Sequence, residues 1–516
     1  MANRLTRWLL AQRSSPRLAF LLQIGCRVLT ALCSLLWIPL LLGSMGKALN
    51  GLFLTFQSIA SMGGLGDLGM GGLVNIQTSR LLGQGKEPEL RKFLAAARAF
   101  FGIMALLAGG IFLIISPGLL RWQKFATVPQ AGPLAGLCVV GALVIAVVIL
   151  NSYITNLNYG CGNVVWPVLP VFVIIQLEFF GHWLLARKGV ALWVQYLPYQ
   201  TGALLIFLLG WVWIRLSHPS LGTVRPLTVD WKQFVALAGK SFWVYLYALS
   251  GSIYTTISTL LITARFGPVL LVTFRYNTKL CDLAYFVVNS ACVASLPKIT
   301  QWLASPEPGT RERGLRETER LNKFQTLLGC SAALVYLAAN DWFIGWWLGQ
   351  SLHAPLSWQA AFAANLAVTS GGLAGFELAA RCSDGGIRVG GITVTLTALL
   401  NLGLCLVAMK RGSIFGIALA TVATQSVLTL SLGWYACRQM QTSWWRLSLR
   451  NWFLALGAAG LGILLRIYLP IHSALTAGVG AGVWVVTVLL IASLLGIRIS
   501  DLREEFVIMR GMFGKR

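Results

Sequence analysis

The chain has 516 residues, of which 57% are hydrophobic and only 11% charged, and it carries a formal net charge of +25. A soluble domain of average composition is about 25% charged, so these proportions and a mean hydropathy of +0.73 place the chain in the membrane class. A large aqueous core is excluded because no polar face repeats along the helical segments to cover one.

Residues 1–17 carry Arg4, Arg7, Arg13 and Arg17 and read as a basic cytoplasmic leader. The apolar run behind them is longer than the h-region of a cleavable signal. A membrane helix needs about 20 mostly apolar residues, and the chain offers about fourteen such segments. They cover 18–45, 48–82, 92–116, 131–157, 164–186, 190–214, 233–264, 268–300, 322–340, 355–381, 387–409, 413–437, 450–469 and 474–496. With the N-terminus inside, most of the 41 Lys and Arg residues fall at cytoplasmic ends, which is the positive-inside pattern. The basic balance then reports orientation against anionic lipid, and nucleic acid is not an expected partner.

The first segment carries Gln23, Arg27, Thr30 and Ser34 at spacings of four, three and four, on one helical face. The second runs into MGGLGDLGMGGLVNIQ, Met62 to Gln77, with six glycines among its first eleven residues and a carboxylate at Asp67. Gly64, Gly66 and Gly69 spell G-x-G-x-x-G, but a dinucleotide fingerprint needs a strand before it and a βαβ unit around it. Close helix packing through small residues is one remaining reading. The favoured one is a bendable, cavity-lining hinge with Asp67 as a gate or coupling group, since irregular backbone at membrane depth is tolerated only against protein or a wet cavity. Arg98 stands a turn or two into the third segment. Asn151, Thr155 and Asn158 form a polar stripe in the fourth, and Glu178 stands without a near partner in the fifth. A lone carboxylate in a low-dielectric setting takes up a proton readily, which makes Glu178 a coupling candidate.

The chain also repeats weakly. A shift of 221 lays residues 46–94 on 267–315, with Gly46 on Gly267, Phe53 on Phe274 and Leu82 on Leu303. This suggests two six-helix halves, 18–214 and 233–437, joined by a cytoplasmic linker over 215–232. A helix pair and a basic tail follow over 438–516. Two such halves are the usual plan of a transporter with a central site. In the second half, Ser241, Tyr245, Ser252, Thr256, Thr259 and Thr263 form a stripe. Arg275, Lys279 and Asp282 follow at i, i+4 and i+7. Glu377 and Arg381 read as a structural pair at i, i+4. Stripes of helical period in apolar segments imply a hydrophilic cavity between the halves. Its deep cations, Arg27, Arg275 and Lys279 with Arg98, suit phosphate or carboxylate.

No loop is long enough for a soluble domain; the longest is near 303–319. The ten cysteines are scattered without metal spacing. His182, His218, His353 and His472 read as interfacial residues rather than a catalytic or metal set. No nucleophile motif appears, so neither an enzyme nor a cofactor is expected.

The run LFLTFQSIASMGGLGDLGMGGLVNIQTSRLLGQGKEPELRKFLAAARA resembles the second-to-third helix region of Wzx-type polysaccharide flippases. The matching features are D-L-G-M-G-G at 67–72 and the basic stretch with K-E-P-E. NLGLCLVAMKRGSIFGIALAT, from Asn401, resembles the signature of helices 11 and 12 in the same MOP superfamily, which also holds lipid II flippases and MATE exporters. Fourteen spans match lipid II flippases as well, whereas many Wzx-type proteins have about twelve. The resemblance implies a two-lobed, all-α polytopic protein of the bacterial cytoplasmic membrane, with both termini cytoplasmic. It implies flipping of an undecaprenyl-diphosphate-linked oligosaccharide by alternating access, coupled to H⁺ or Na⁺, for surface polysaccharide synthesis. Substrate would meet Gln23, Arg27, Arg98, Asn151, Arg275 and Lys279; Asp67, Glu178 and Asp282 would serve coupling or gating. Membrane lipids, a polysaccharide polymerase and chain-length proteins are the implied partners. The alternatives are lipid II transport and small-molecule antiport of the MATE kind.

Overall fold

A computed structural model describes residues 16–163, 168–222, 231–303, 307–379, 385–468 and 474–497. Among these the regular structure is helical, with no strand. Each of the roughly fourteen apolar segments expected from span length falls, over its described residues, on a helix or on a helix broken once. Eight of the helices meet the length and apolarity of a bilayer crossing over their described residues. Large aliphatic side chains stand outward, with Leu106 78% and Ile114 81% exposed. Such a belt is costly in water and natural against lipid tails. The protein is therefore an all-α, multi-pass membrane protein.

The chain divides into two compact units, Met1–Val272 and Thr273–Arg516. The first holds α1 (Pro16–Ser61), a 3₁₀ turn (Met62–Asp67), α2 (Met70–Gly83), α3 (Glu87–Trp122), α4 (Leu134–Gly160), α5 (Val168–Arg187), α6 (Leu197–Ser217), α7 (Trp231–Phe266) and the first half of α8 (Pro268–Asn277). The second holds α9 (Lys279–Leu303), α10 (Pro308–Trp347), α11 (Leu356–Ala379), α12 (Gly386–Lys410), α13 (Ile414–Met440), α14 (Arg450–Tyr468) and α15 (Ala474–Leu494). Of the expected linker over 215–232, residues 223–230 lie outside the described residues, and α7 packs on α1, α2 and α3 within the first unit.

In that unit α4 is central, touching α2, α3 and α6, while α5 packs on α1 and α6. Its core includes Leu52, Phe56, Leu94, Phe101, Leu137, Ile149 and Leu157, all fully buried. In the second unit α11 packs on α10 and α13, and α10 also carries α9, α14 and α15.

The shift of 221 has a backbone counterpart. Gly46 adopts φ +71 and divides α1 into two helices; Gly267 adopts φ +93 and separates α7 from α8. Both sit between the first and second spans of their halves, in the left-handed region that glycine enters at no steric cost. The Asn401 motif is also structural. Gly412, at φ +69, turns the chain from α12 into α13, and the Ser413 hydroxyl caps α13 by accepting the Gly416 N–H at 2.9 Å. Across this hairpin Thr424 donates to Asn401 Oδ1 at 3.3 Å.

Candidate functional site

The glycine-rich stretch breaks its membrane span. After the 3₁₀ turn, Leu68 (φ +50) and Gly69 (φ +74) are both left-handed before α2 begins. A left-handed leucine is uncommon and needs local support. Asp67 supplies it. Its Oδ1 accepts the Gly69 N–H at 2.9 Å, and its Oδ2 accepts the Ser152 hydroxyl of α4 at 2.5 Å. Asn156, one turn further along α4, donates to the Ser152 carbonyl at 2.9 Å. Gly71 makes room for this cluster, since a Cβ there would stand 2.8 Å from Asp67 Oδ2 and 2.6 Å from Ser152 Oγ. Tyr245 of α7 lies within electrostatic reach of the carboxylate.

The glycines divide their work. Gly63 and Gly66 press against Ile145 and Ile149 of α4, where a Cβ would come within 2.7 Å and 2.6 Å of side-chain carbons. These two are packing residues. Gly64 meets only Val148 at 3.8 Å and Gly72 meets nothing. Close packing and an irregular backbone thus both occur, on different glycines of one stretch.

Parts of two polar stripes pack against neighbouring helices. Asn151 donates to the Ala203 carbonyl at 2.8 Å and Asn158 to the Gly210 carbonyl at 3.2 Å. The two asparagines, seven apart on α4, clamp two carbonyls seven apart on α6. Asn151 accordingly spends its amide donor on a helix–helix bond. In α7, Thr256, Thr259 and Thr263 are buried, and Thr263 bonds Thr55 of α1 at 2.7 Å. Threonine spacing alone does not separate a face that packs on another helix from one that meets water. Gln23 and Arg27 lie on α1, with side chains outside the described residues; so do the side chain of Glu377 and all of Arg381.

Arg98 is half-buried, with its guanidinium 4.5 Å from the Trp211 ring centroid of α6 and an interaction with the Tyr153 hydroxyl. Arg215 approaches the same indole at 5.6 Å. Glu178 of α5 lies against α6 at Gly202, where any Cβ would fall on its carboxylate. One turn on, His182 is fully buried. Its Nδ1 is 2.9 Å from the Tyr199 hydroxyl, and its ring stands 4.4 Å from that of Phe53. The ring also lies within hydrogen-bonding reach of Gln195. Glu178 and His182 are four apart on α5, a spacing legible in the sequence; their neighbour Tyr199 from α6 is not.

In the second unit the break between α8 and α9 is organised by Asn277. It donates to the Leu352 carbonyl at 2.8 Å, accepts from Asn340 at 2.9 Å, and its backbone carbonyl takes the Tyr336 hydroxyl at 2.9 Å. Lys279 begins α9 half-buried, and Asp282, one turn on, is exposed and within electrostatic reach of Lys279. Below them an apolar groove of about 540 Å³ runs between α9, α10 and α15, lined by Leu280, Ala284, Phe324, Leu328, Val335 and Trp484. Trp484 of α15 donates to the Ser331 carbonyl of α10 at 3.4 Å. No group of three or more metal-ligating side chains occurs among the described residues.

No family model matches the chain, and no curated protein matches it. Solved structures do. A lipid II flippase, MurJ, in an inward closed conformation, aligns over 92% of this chain and 98% of its own, with TM-score 0.65 and 13% identity. The chain shares the fold of this flippase. An inward-facing multidrug resistance MATE transporter of the MOP superfamily aligns over 79% of this chain and 94% of its own, with TM-score 0.58 and 11% identity. Both neighbours are transporters rather than enzymes, and at these identities the likeness is one of fold.

Proposed function

We propose that the protein flips a lipid-linked oligosaccharide, carried on an undecaprenyl diphosphate, between leaflets of the bacterial cytoplasmic membrane by alternating access. The observation that carries this reading is the second unit's pairing of charge with an apolar groove. Lys279 opens α9, and Leu280 and Ala284 line the groove beside it. An ammonium suits a diphosphate, and a groove of this volume accepts isoprenoid chain. Arg275 on α8 adds a second cation one turn earlier. In a low-dielectric setting each charge acts more strongly than at a surface. An exporter of organic cations is better served by carboxylates at these positions, and a lipid II flippase differs from this reading in the glycan alone. The structural likeness to MurJ supports a polyprenyl-linked cargo, and the polysaccharide branch rests on the 67–72 motif.

Coupling is assigned to Glu178. Its carboxylate lies at the α5–α6 interface one turn from a fully buried His182 bonded to Tyr199. Proton uptake there removes a charge from that helix interface, which favours a different packing of α5 on α6. Arg275→Ala and Lys279→Ala, each expressed at the wild-type level in a strain lacking its own copy of the protein, abolish surface polysaccharide on this account. Full polysaccharide output from both variants overturns the substrate assignment.

A further inference from the structure

The segment joining α13 to α14 has no role in the transport scheme, yet it concentrates unsatisfied hydrogen-bond donors. Trp445–Leu449 forms a π-helical turn that leads into α14 at Arg450. π-Turns are rare and cluster at functional sites. Within nine residues, Trp444 Nε1, Arg450 Nε, Arg450 Nη2 and Trp452 Nε1 are all buried from solvent with no hydrogen-bond partner. Every one is a donor that cannot accept. A buried donor left unmade costs free energy, so four together favour a further acceptor.

The charge around them has the matching sign. Arg446, exposed and one turn before Arg450, lies within electrostatic reach of it, as does Glu319 of α10. Glu319 is already engaged by Lys323 at 3.2 Å, and the neighbouring Glu317 faces Arg320 at 4.0 Å. Glu319 is thus shared between Lys323 and Arg450, and the cations Arg320, Lys323, Arg446 and Arg450 outnumber the carboxylates Glu317 and Glu319. Trp445 and Phe453, each 54% exposed, stand 6.2 Å apart with their rings tilted, and Trp452 stands 5.2 Å from Phe453. Exposed aromatic rings beside arginines mark the level where lipid tails give way to headgroups. The turn is held in place by α13, where Gly433 leaves room for the buried Ser448.

We propose that this turn is a binding site for the phosphate of an anionic phospholipid headgroup. The exposed Arg446 meets the phosphate oxygens first, Arg450 and the indole N–H groups of Trp444 and Trp452 donate to the headgroup once it displaces the side chains that cover them, and Trp445 with Phe453 lies on the acyl chains. The site is independent of which molecule is transported.

Native mass spectrometry of the detergent-purified full chain tests this, with phosphatidylglycerol and phosphatidylcholine titrated separately. The wild type retains phosphatidylglycerol over phosphatidylcholine. Arg446→Gln/Arg450→Gln retains about tenfold less of it, as expected from two lost charge-assisted contacts, while Lys92→Gln, an exposed cation elsewhere, is unchanged. Trp452→Phe keeps ring and shape, removes one donor, and lowers retention several-fold, which covers the case in which the double variant does not fold. Equal phosphatidylglycerol retention by wild type and Trp452→Phe, or by wild type and a folded double variant, overturns the site. Displacement of the lipid by millimolar inorganic phosphate overturns the lipid assignment in favour of a free-anion site.

Discussion

At the scale of single residues, Asp67 shows how a charge can be structural at membrane depth. It holds two left-handed residues and ties them to Ser152 of α4. Asp67→Ala removes both bonds and lowers thermal stability in detergent by about 1–3 kcal/mol. Ser152→Ala removes one and has a smaller effect. A denaturation midpoint unchanged in Asp67→Ala contradicts that role. Glu178 behaves differently, because its carboxylate meets α6 where Gly202 has no side chain. Gly202→Ala displaces that carboxylate and reproduces the transport defect of Glu178→Gln. Gly72→Ala, where a Cβ meets nothing, gains about 1 kcal/mol of helix propensity and leaves transport intact. Equal transport in Gly202→Ala and wild type removes Glu178 from the mechanism.

At the scale of elements, helices were legible and their breaks were partly so. Long aliphatic runs leave a membrane chain little choice but helix, because every backbone group must be bonded within its own segment. The glycine density of Met62 to Gly72 marked one break, and the alignment of Gly46 on Gly267 marked two positive-φ joints. The break before Lys279 carries no such mark, since it is built by Asn277 with Asn340, Tyr336 and Leu352, 59 to 75 residues away. Polar stripes were legible as stripes but not as to what they face. Asn151 and Asn158 turn out to bond α6 rather than to line water. Interhelical hydrogen bonds of this kind contribute about 0.6 kcal/mol each in membranes. Asn151→Leu therefore costs little alone. Asn151→Leu/Asn158→Leu loosens α4 from α6, and cross-linking yield between cysteines placed on those two helices falls. An unchanged yield argues against the clamp.

At the scale of the whole molecule, composition alone placed the chain in a membrane, and the fold shared with a lipid II flippase and a MATE transporter agrees with that placement. The candidate site was only partly legible. Arg98, Glu178, Lys279 and Asp282 were readable as intramembrane charges. His182, Tyr199 and the groove under α9 were not, because each depends on which helices meet. Glu178→Gln, fixed in the form a protonated carboxylate takes, makes transport indifferent to an imposed pH gradient; full pH-gradient dependence in this variant contradicts the coupling assignment. The most direct test is a flipping assay in proteoliposomes loaded with a fluorescent undecaprenyl-diphosphate oligosaccharide, read by the fraction of label accessible from outside. The account predicts protein-dependent translocation that is lost in Arg275→Ala/Lys279→Ala; no translocation by the wild type, or equal translocation by both proteins, would contradict it.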